Sequence, residues 1–128
     1  TYANIMLNAG VNPNSPYSAI SFDTMMLAAL ALQHQAHNNI SKKDLSKSLV
    51  SVANPPGIKM GPGSWEAARA LLIRGVEINY EGVSGSLDFD INGDVEGMYS
   101  LNQVTEDNLW SVERLEKLHP FEPRIIID

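Results

Sequence analysis

Ile78-Asn79-Tyr80-Glu81-Gly82-Val83-Ser84-Gly85-Ser86-Leu87-Asp88-Phe89-Asp90 is the stretch at which the periodicity of the chain changes. Ile78 and Tyr80 alternate with polar neighbours, as residues of a half-buried strand do. Gly82 and Gly85 interrupt the alternation, and Leu87 and Phe89 resume it. The run ends at Asp90-Ile91-Asn92-Gly93-Asp94, where Asn92-Gly93 is a strong signal for a tight hairpin turn. Two more strands are expected beyond it, Val95 to Val104 and Leu109 to Leu115, around Thr105-Glu106-Asp107-Asn108. The run Ile125-Ile126-Ile127 could form one last strand.

Upstream of this stretch the chain reads as helical. Residues Thr1 to Ser15 are polar and turn-rich. Pro16 is placed to open a helix with Ser15 as its cap, and that helix is expected to run to about His37. Ile20, Met25, Leu27, Leu30 and Leu32, with Ala28, Ala29 and Ala31 between them, imply burial on more than one side. Ser41 opens a second helix, with Leu45, Leu49, Val50 and Val52 as its apolar stripe, and Asn54-Pro55-Pro56-Gly57 stops it. Gly57 to Gly63 reads as a long turn with no strand leading into it. Ser64 then caps a third helix, Trp65 to Arg74, which Gly75 terminates. Trp65 reads as a packing anchor.

Three helices followed by a hairpin array make an unusual independent unit. Helices need a sheet or other helices to cover, and no parallel strand is legible between them. The plain reading is a small α+β domain. The sharper one is a piece of a larger α/β protein.

The bulk composition narrows the function. With 128 residues and 44% hydrophobic content the chain can bury a core. A net charge of -6, with Lys42, Lys43 and Lys47 the only basic cluster, argues against nucleic-acid binding. There is no cysteine, which removes disulfides, thiolate metal sites and a cysteine nucleophile. The longest apolar run, Met25 to Leu32, is too short to span a membrane.

Several segments suggest chemistry, each beside a plainer reading. Asp88-Phe89-Asp90-Ile91-Asn92-Gly93-Asp94-Val95-Glu96 matches the first half of a calcium loop, with oxygen ligands alternating and Gly at the sixth position. Its twelfth position is Tyr99 instead of a bidentate Glu, and a hairpin turn fits the flanking alternation better. Gly82-Val83-Ser84-Gly85 is one residue short of a serine nucleophile elbow. A hydrolase would pair Ser84 with one of His34, His37 and His119. His34 and His37, three apart, could share a metal, yet such a pair near a helix end is more often a solvated face. His119 precedes a proline in a polar tail and reads as inert. Gly57 to Gly63 lacks the Gly-Lys-Ser/Thr of a phosphate loop. No cofactor, metal or catalytic residue is assigned.

Four segments in order resemble the type I periplasmic solute-binding proteins of the branched-chain amino acid ABC transporter family. Tyr17-Ser18-Ala19-Ile20-Ser21-Phe22-Asp23-Thr24-Met25-Met26-Leu27-Ala28 is similar to the family helix that opens with an aromatic-Asp-Ala/Thr run. The helices Ser41 to Val52 and Ser64 to Arg74 follow. Ile78 to Asp90 carries Tyr-x-Gly-x-Ser-Gly leading into an x-Phe-Asp strand, and Asn92-Gly93-Asp94 precedes the alternation at Tyr99 to Val104. The resemblance covers about residues 13 to 115.

It implies a two-lobed α/β protein that closes on an amino acid or similar solute for an ABC importer or a sensor, in the periplasm and without catalysis. Residues 1–75 would then be the helical part of one lobe. Residues 76–128 would supply hinge-region strands and a C-terminal hairpin, with an N-terminal lobe segment missing, so that the chain is a C-terminal fragment. It nominates Tyr17, Ser18, Ala19 and Phe22 as cleft residues, although Phe22 reads first as a core aromatic. Ala19 stands where some amino-acid-binding relatives carry a large aromatic, which leaves more room and weakens the case for a branched-chain ligand. The alternatives are a stand-alone structural or dimerisation domain, a calcium-dependent interaction module at Asp88–Glu96, and a hydrolase using Ser84. A fragment would expose apolar faces and self-associate through surfaces such as Met25 to Leu32.

Overall fold

The computed structural model describes residues 1–15, 17–104 and 110–118. Four α-helices and four strands follow in the order α1 (Tyr2–Asn8), α2 (Ser18–His37), α3 (Leu45–Ala53), β1 (Ile58–Met60), α4 (Trp65–Ile73), β2 (Ile78–Tyr80), β3 (Gly97–Val104) and β4 (Trp110–Leu118). Among the described residues no helix is long and apolar enough to cross a membrane.

The long helix α2 organises the unit. Asp23, Leu27, Leu30, Ala31 and Gln35 are its buried positions, spaced so that they form one stripe. Along that stripe it packs against both α3 and α4. Leu30 is fully buried, worth about 2 kcal/mol of apolar transfer. Burial on more than one side is not found: Met25 is 72% and Leu32 54% exposed on the opposite face. The cause is geometric, since α3 and α4 approach from one direction only.

Helix ends follow the local chemistry. Tyr17 occupies the N-cap of α2 in the left-handed region, so the helix starts at Ser18, later than a Ser15 cap would place it; Pro16 lies outside the described residues. At its far end Asn39 takes φ 53°, and the Ile40 N–H reaches back to the Gln35 carbonyl, a glycine-like closure made by an asparagine. Ser41 Oγ accepts the Lys43 N–H and opens a short 3-10 turn, Lys42–Asp44, that leads into α3. Gly75, at φ 72°, closes α4 as the sequence predicts. Its N–H bonds the Leu72 carbonyl, and that of Val76 bonds the Leu71 carbonyl. Ser64 is the N-cap of α4 but makes no cap bond; its hydroxyl donates instead to the Gly61 carbonyl. Trp65 packs half-buried against the core, as an anchor should.

Two segments that read as turns hold regular structure instead. Within Thr1–Ser15, residues Tyr2–Asn8 form α1. Within Gly57–Gly63, Ile58–Met60 form β1, which pairs in parallel with β2 through Ile58–Ile78, Lys59–Asn79 and Met60–Tyr80. β1, α4 and β2 therefore make a βαβ unit, since parallel neighbours require a crossover. Gly57 lets the chain reach this position: a Cβ there would overlap the carbonyl group of Ile78. Ile78, Tyr80 and Met60 join Leu27, Leu30, Val52, Ala53, Ala68 and Leu72 in one core.

Beyond β2 the turn at Asp90 forms, flanked by an isolated antiparallel bridge between Phe89 and Val95. β3 and β4 then pair antiparallel, from Gly97 opposite Leu118 to Val104 opposite Trp110, with an irregularity between Leu101 and Asn102. The two strands expected here are thus present with shifted ends. The turn Thr105–Asn108, His119 and Ile125–Ile127 lie outside the described residues.

Candidate functional site

In a parallel α/β unit the loops after the strands carry the ligand, because strand ends and helix starts converge there. Here that edge collects the turn after β1, the loop after β2, α1 and the start of α2. Ile5 of α1 lies near Gly63 in the turn after β1. Tyr2 of α1 joins α2: its hydroxyl bonds Ser18 Oγ at 2.8 Å, and Ser18 Oγ donates to the Pro13 carbonyl at 2.8 Å. The Tyr2 and Phe22 rings meet edge to face, 5.2 Å between centroids.

The start of α2 is tied to the loop after β2 through Asp23. This carboxylate is 2% exposed and accepts four hydrogen bonds. Oδ1 takes the Tyr80 hydroxyl and the Val83 N–H, both at 2.9 Å. Oδ2 takes the Ser84 N–H at 2.7 Å and the Ser84 hydroxyl at 2.6 Å. A buried carboxylate is tolerated only when so compensated. Gly82 is required at the crossing, because a Cβ there would stand 2.5 Å from Asp23 Oδ2. The loop is pinned further by the Gly82 N–H bonding the Gly85 carbonyl. Burial, then the neighbouring Asp23 carboxylate, push the Tyr80 phenol well above its usual range.

The four nominated residues fall at this edge with different surroundings. Tyr17 is 78% exposed, and Ala19 is half-buried. Ser18 is half-buried and committed to Tyr2 and Pro13. Phe22 is half-buried against Tyr2. Sequence reasoning misses Tyr2, whose role needs the fold of α1. It also passes over Asp23 as one letter of a helix motif. The signal was present, since a lone acidic residue inside an apolar helix demands donors from elsewhere.

The residues behind the rival chemistries are occupied by local contacts. The Ser84 hydroxyl is committed to a carboxylate, not a histidine, and an anion beside it opposes forming the alkoxide a hydrolase needs. At the turn, Asp90 Oδ1 accepts the Asn92 and Asp94 N–H groups at 2.8 and 2.9 Å, as a turn-forming aspartate does. His34 Nδ1 lies 3.2 Å from Ser48 Oγ. Burial first, and then His37, lower the pKa of His34, against an upward pull from Glu77. Among the described residues no three His, Cys, Asp or Glu side chains gather as a metal site.

The fold is a small α/β unit built on a two-stranded parallel sheet, consistent with part of a lobe of a type I periplasmic-binding-protein-like domain. The model of one family, the receptor family ligand binding region, matches residues 4–107, and the chain belongs to that family. Its members are typically non-catalytic binding domains. Comparison with curated proteins and with solved structures gave no match.

Proposed function

We propose that the chain is the C-terminal portion of a two-lobed periplasmic receptor that closes on an amino acid or similar polar solute and presents it to an ABC importer or a sensor. The observation that supports this most is the Asp23 anchor. It fixes Tyr17, Ser18, Ala19 and Phe22 at the carboxyl edge of the parallel strands, where α/β folds take ligands. Tyr17, exposed and held in the left-handed region, is then the contact residue, and Ser18 and Phe22 set its position.

The sheet supports the larger assembly. A parallel pair of three-residue strands is marginal alone, and parallel sheets are normally covered on both faces. Ile58 of β1 is 49% exposed, and Asn79 Oδ1 is buried without a hydrogen-bond partner among the described residues. Both fit further strands and a second lobe from elsewhere in the protein.

The test is a titration of the full-length receptor with a panel of amino acids, followed by backbone-amide NMR. Saturable shifts confined to Tyr17–Phe22 and Gly82–Gly85, lost in Tyr17→Ala, are expected. A folded full-length receptor that shows no such shifts with any of them would sink the reading.

One observation favours a second reading, self-association through the outer face of α2: the exposure of Met25 and Leu32. A Met25→Ser, Leu32→Ser variant that sediments at the same mass as the parent would remove it.

A further inference from the structure

A cavity of about 360 Å³ lies at the far end of α2, about 30 Å from Tyr17 along a 20-residue helix. It is large enough for a small organic molecule. Its apolar floor includes Leu72 and Ile78, both buried. Its rim is polar: His34 and Asn38 from the end of α2, Ser51 from the end of α3, and Glu77 just before β2. This is the amino edge of the strands, away from the edge assigned to the solute.

Three features give the cavity one electrostatic sign. First, α2, α3 and α4 all finish at its wall, and each helix C-terminus carries partial negative charge. Second, the C-terminus of α3 is capped only in part: the Asn54 N–H bonds the Val50 carbonyl, and the chain then turns into two prolines. The carbonyl of Ser51, a residue of the cavity wall, would accept an N–H from position 55, but positions 55 and 56 are both proline and have none. Those two prolines line the cavity beside Ser51. Third, Glu77 is the only residue with a full charge at neutral pH among the lining residues, and no Lys or Arg joins it. Burial of His34 disfavours its charged form, so the imidazole does not offset that sign.

We propose that this cavity is a second binding site, one that takes a compact organic cation. The ammonium or guanidinium nitrogen would sit between Glu77 and the Ser51 end of α3, and the alkyl part against Leu72 and Ile78. A metal ion is the poorer occupant, because three ionisable ligands do not converge there among the described residues.

The test uses butylammonium as the probe, with butanol and butyrate as neutral and anionic analogues of the same length. Amide shifts of Asn38, Ser51, Val76 and Glu77 report the site. Expected are saturable shifts for butylammonium in the millimolar range, weaker or absent shifts for the two analogues, and about two- to fivefold weaker binding in Glu77→Gln. Glu77 is exposed, so this variant folds, and far-UV circular dichroism verifies it. Butanol binding as tightly as butylammonium, an unchanged Glu77→Gln, or no saturable shift in the folded protein would each overturn the proposal. These reporters lie away from Tyr17–Phe22, so failure here is distinguishable from failure of the solute site.

Discussion

The Ser84 hydroxyl donates to Asp23 Oδ2 at 2.6 Å across 61 residues of chain. The same carboxylate holds the Ser84 and Val83 amides, so helix α2 and the loop after β2 form one mechanical unit. Asp23→Asn keeps the shape but offers one acceptor oxygen where two are used, and sets an NH2 group against Ser84. A loss on the order of 3 kcal/mol in denaturant unfolding is expected. Ser84→Ala removes one donor at a partly solvated position and is expected to cost about 1 kcal/mol. On the proposed binding function Ser84→Ala leaves solute binding in place, whereas a serine hydrolase would be abolished.

Tyr80 contributes the buried member of the same network. Its phenol is raised above the usual value near 10 by burial and then by Asp23. The unfolded chain therefore releases this proton at a lower pH than the folded one. The stabilisation is complete below about pH 10 and declines as pH rises through the folded value. Tyr80→Phe is expected to cost about 2 kcal/mol at neutral pH and to flatten the alkaline decline. An unchanged slope above pH 10 in the variant would show that other groups cause it.

Much of this architecture is legible in the sequence. The cap at Ser41, the Gly75 terminus and the turn at Asp90 are local rules, and each holds in place. The one-sided burial of α2 is not local, because its apolar residues lie all round the helix and only the packing of α3 and α4 selects a face. β1 is not legible because Ile58–Met60 is only three residues, set between Pro55-Pro56-Gly57 and Gly61-Pro62-Gly63 with Lys59 at its centre. Nothing local marks it as a strand; its partner Ile78 lies 20 residues on. The Asp23 network stays hidden for the same reason. The motifs on both sides are visible, but only the fold brings residue 23 to residue 84.

Gly57 offers a direct check on the βαβ unit. An added Cβ would overlap backbone atoms of Ile78 and Asn79, which cannot swing aside as a side chain can. Gly57→Ala is expected to destabilise by about 3 kcal/mol. Gly61, whose Cβ would meet nothing within 4 Å, serves as the control, and Gly61→Ala should leave unfolding nearly unchanged. Equal effects at the two positions would contradict the β1–β2 register.

The Asp90 turn separates a structural loop from a calcium site. Asp90 Oδ1 already serves two backbone amides, so calcium is expected to leave the melting temperature unchanged. Asp90→Ala should lower stability by about 1–2 kcal/mol with or without calcium, because two turn amides lose their acceptor. A stabilisation by calcium that Asp90→Ala removes would restore the calcium-module alternative.

His34 gives the chain an acid-side dependence of opposite sign to that of Tyr80. Its pKa is lowered in the fold, chiefly by burial and then by His37. The unfolded chain binds the proton first as pH falls, which favours unfolding. The neutral imidazole beside Ser48 therefore contributes fully above about pH 6.5. That contribution shrinks as pH drops from there through the lowered folded value. His34→Gln, which keeps a polar group opposite Ser48 but does not titrate, is expected to remove this part of the slope between neutral pH and about pH 5. Unfolding curves for the two proteins that run parallel through that window would mean the imidazole is solvated as freely in the fold as outside it.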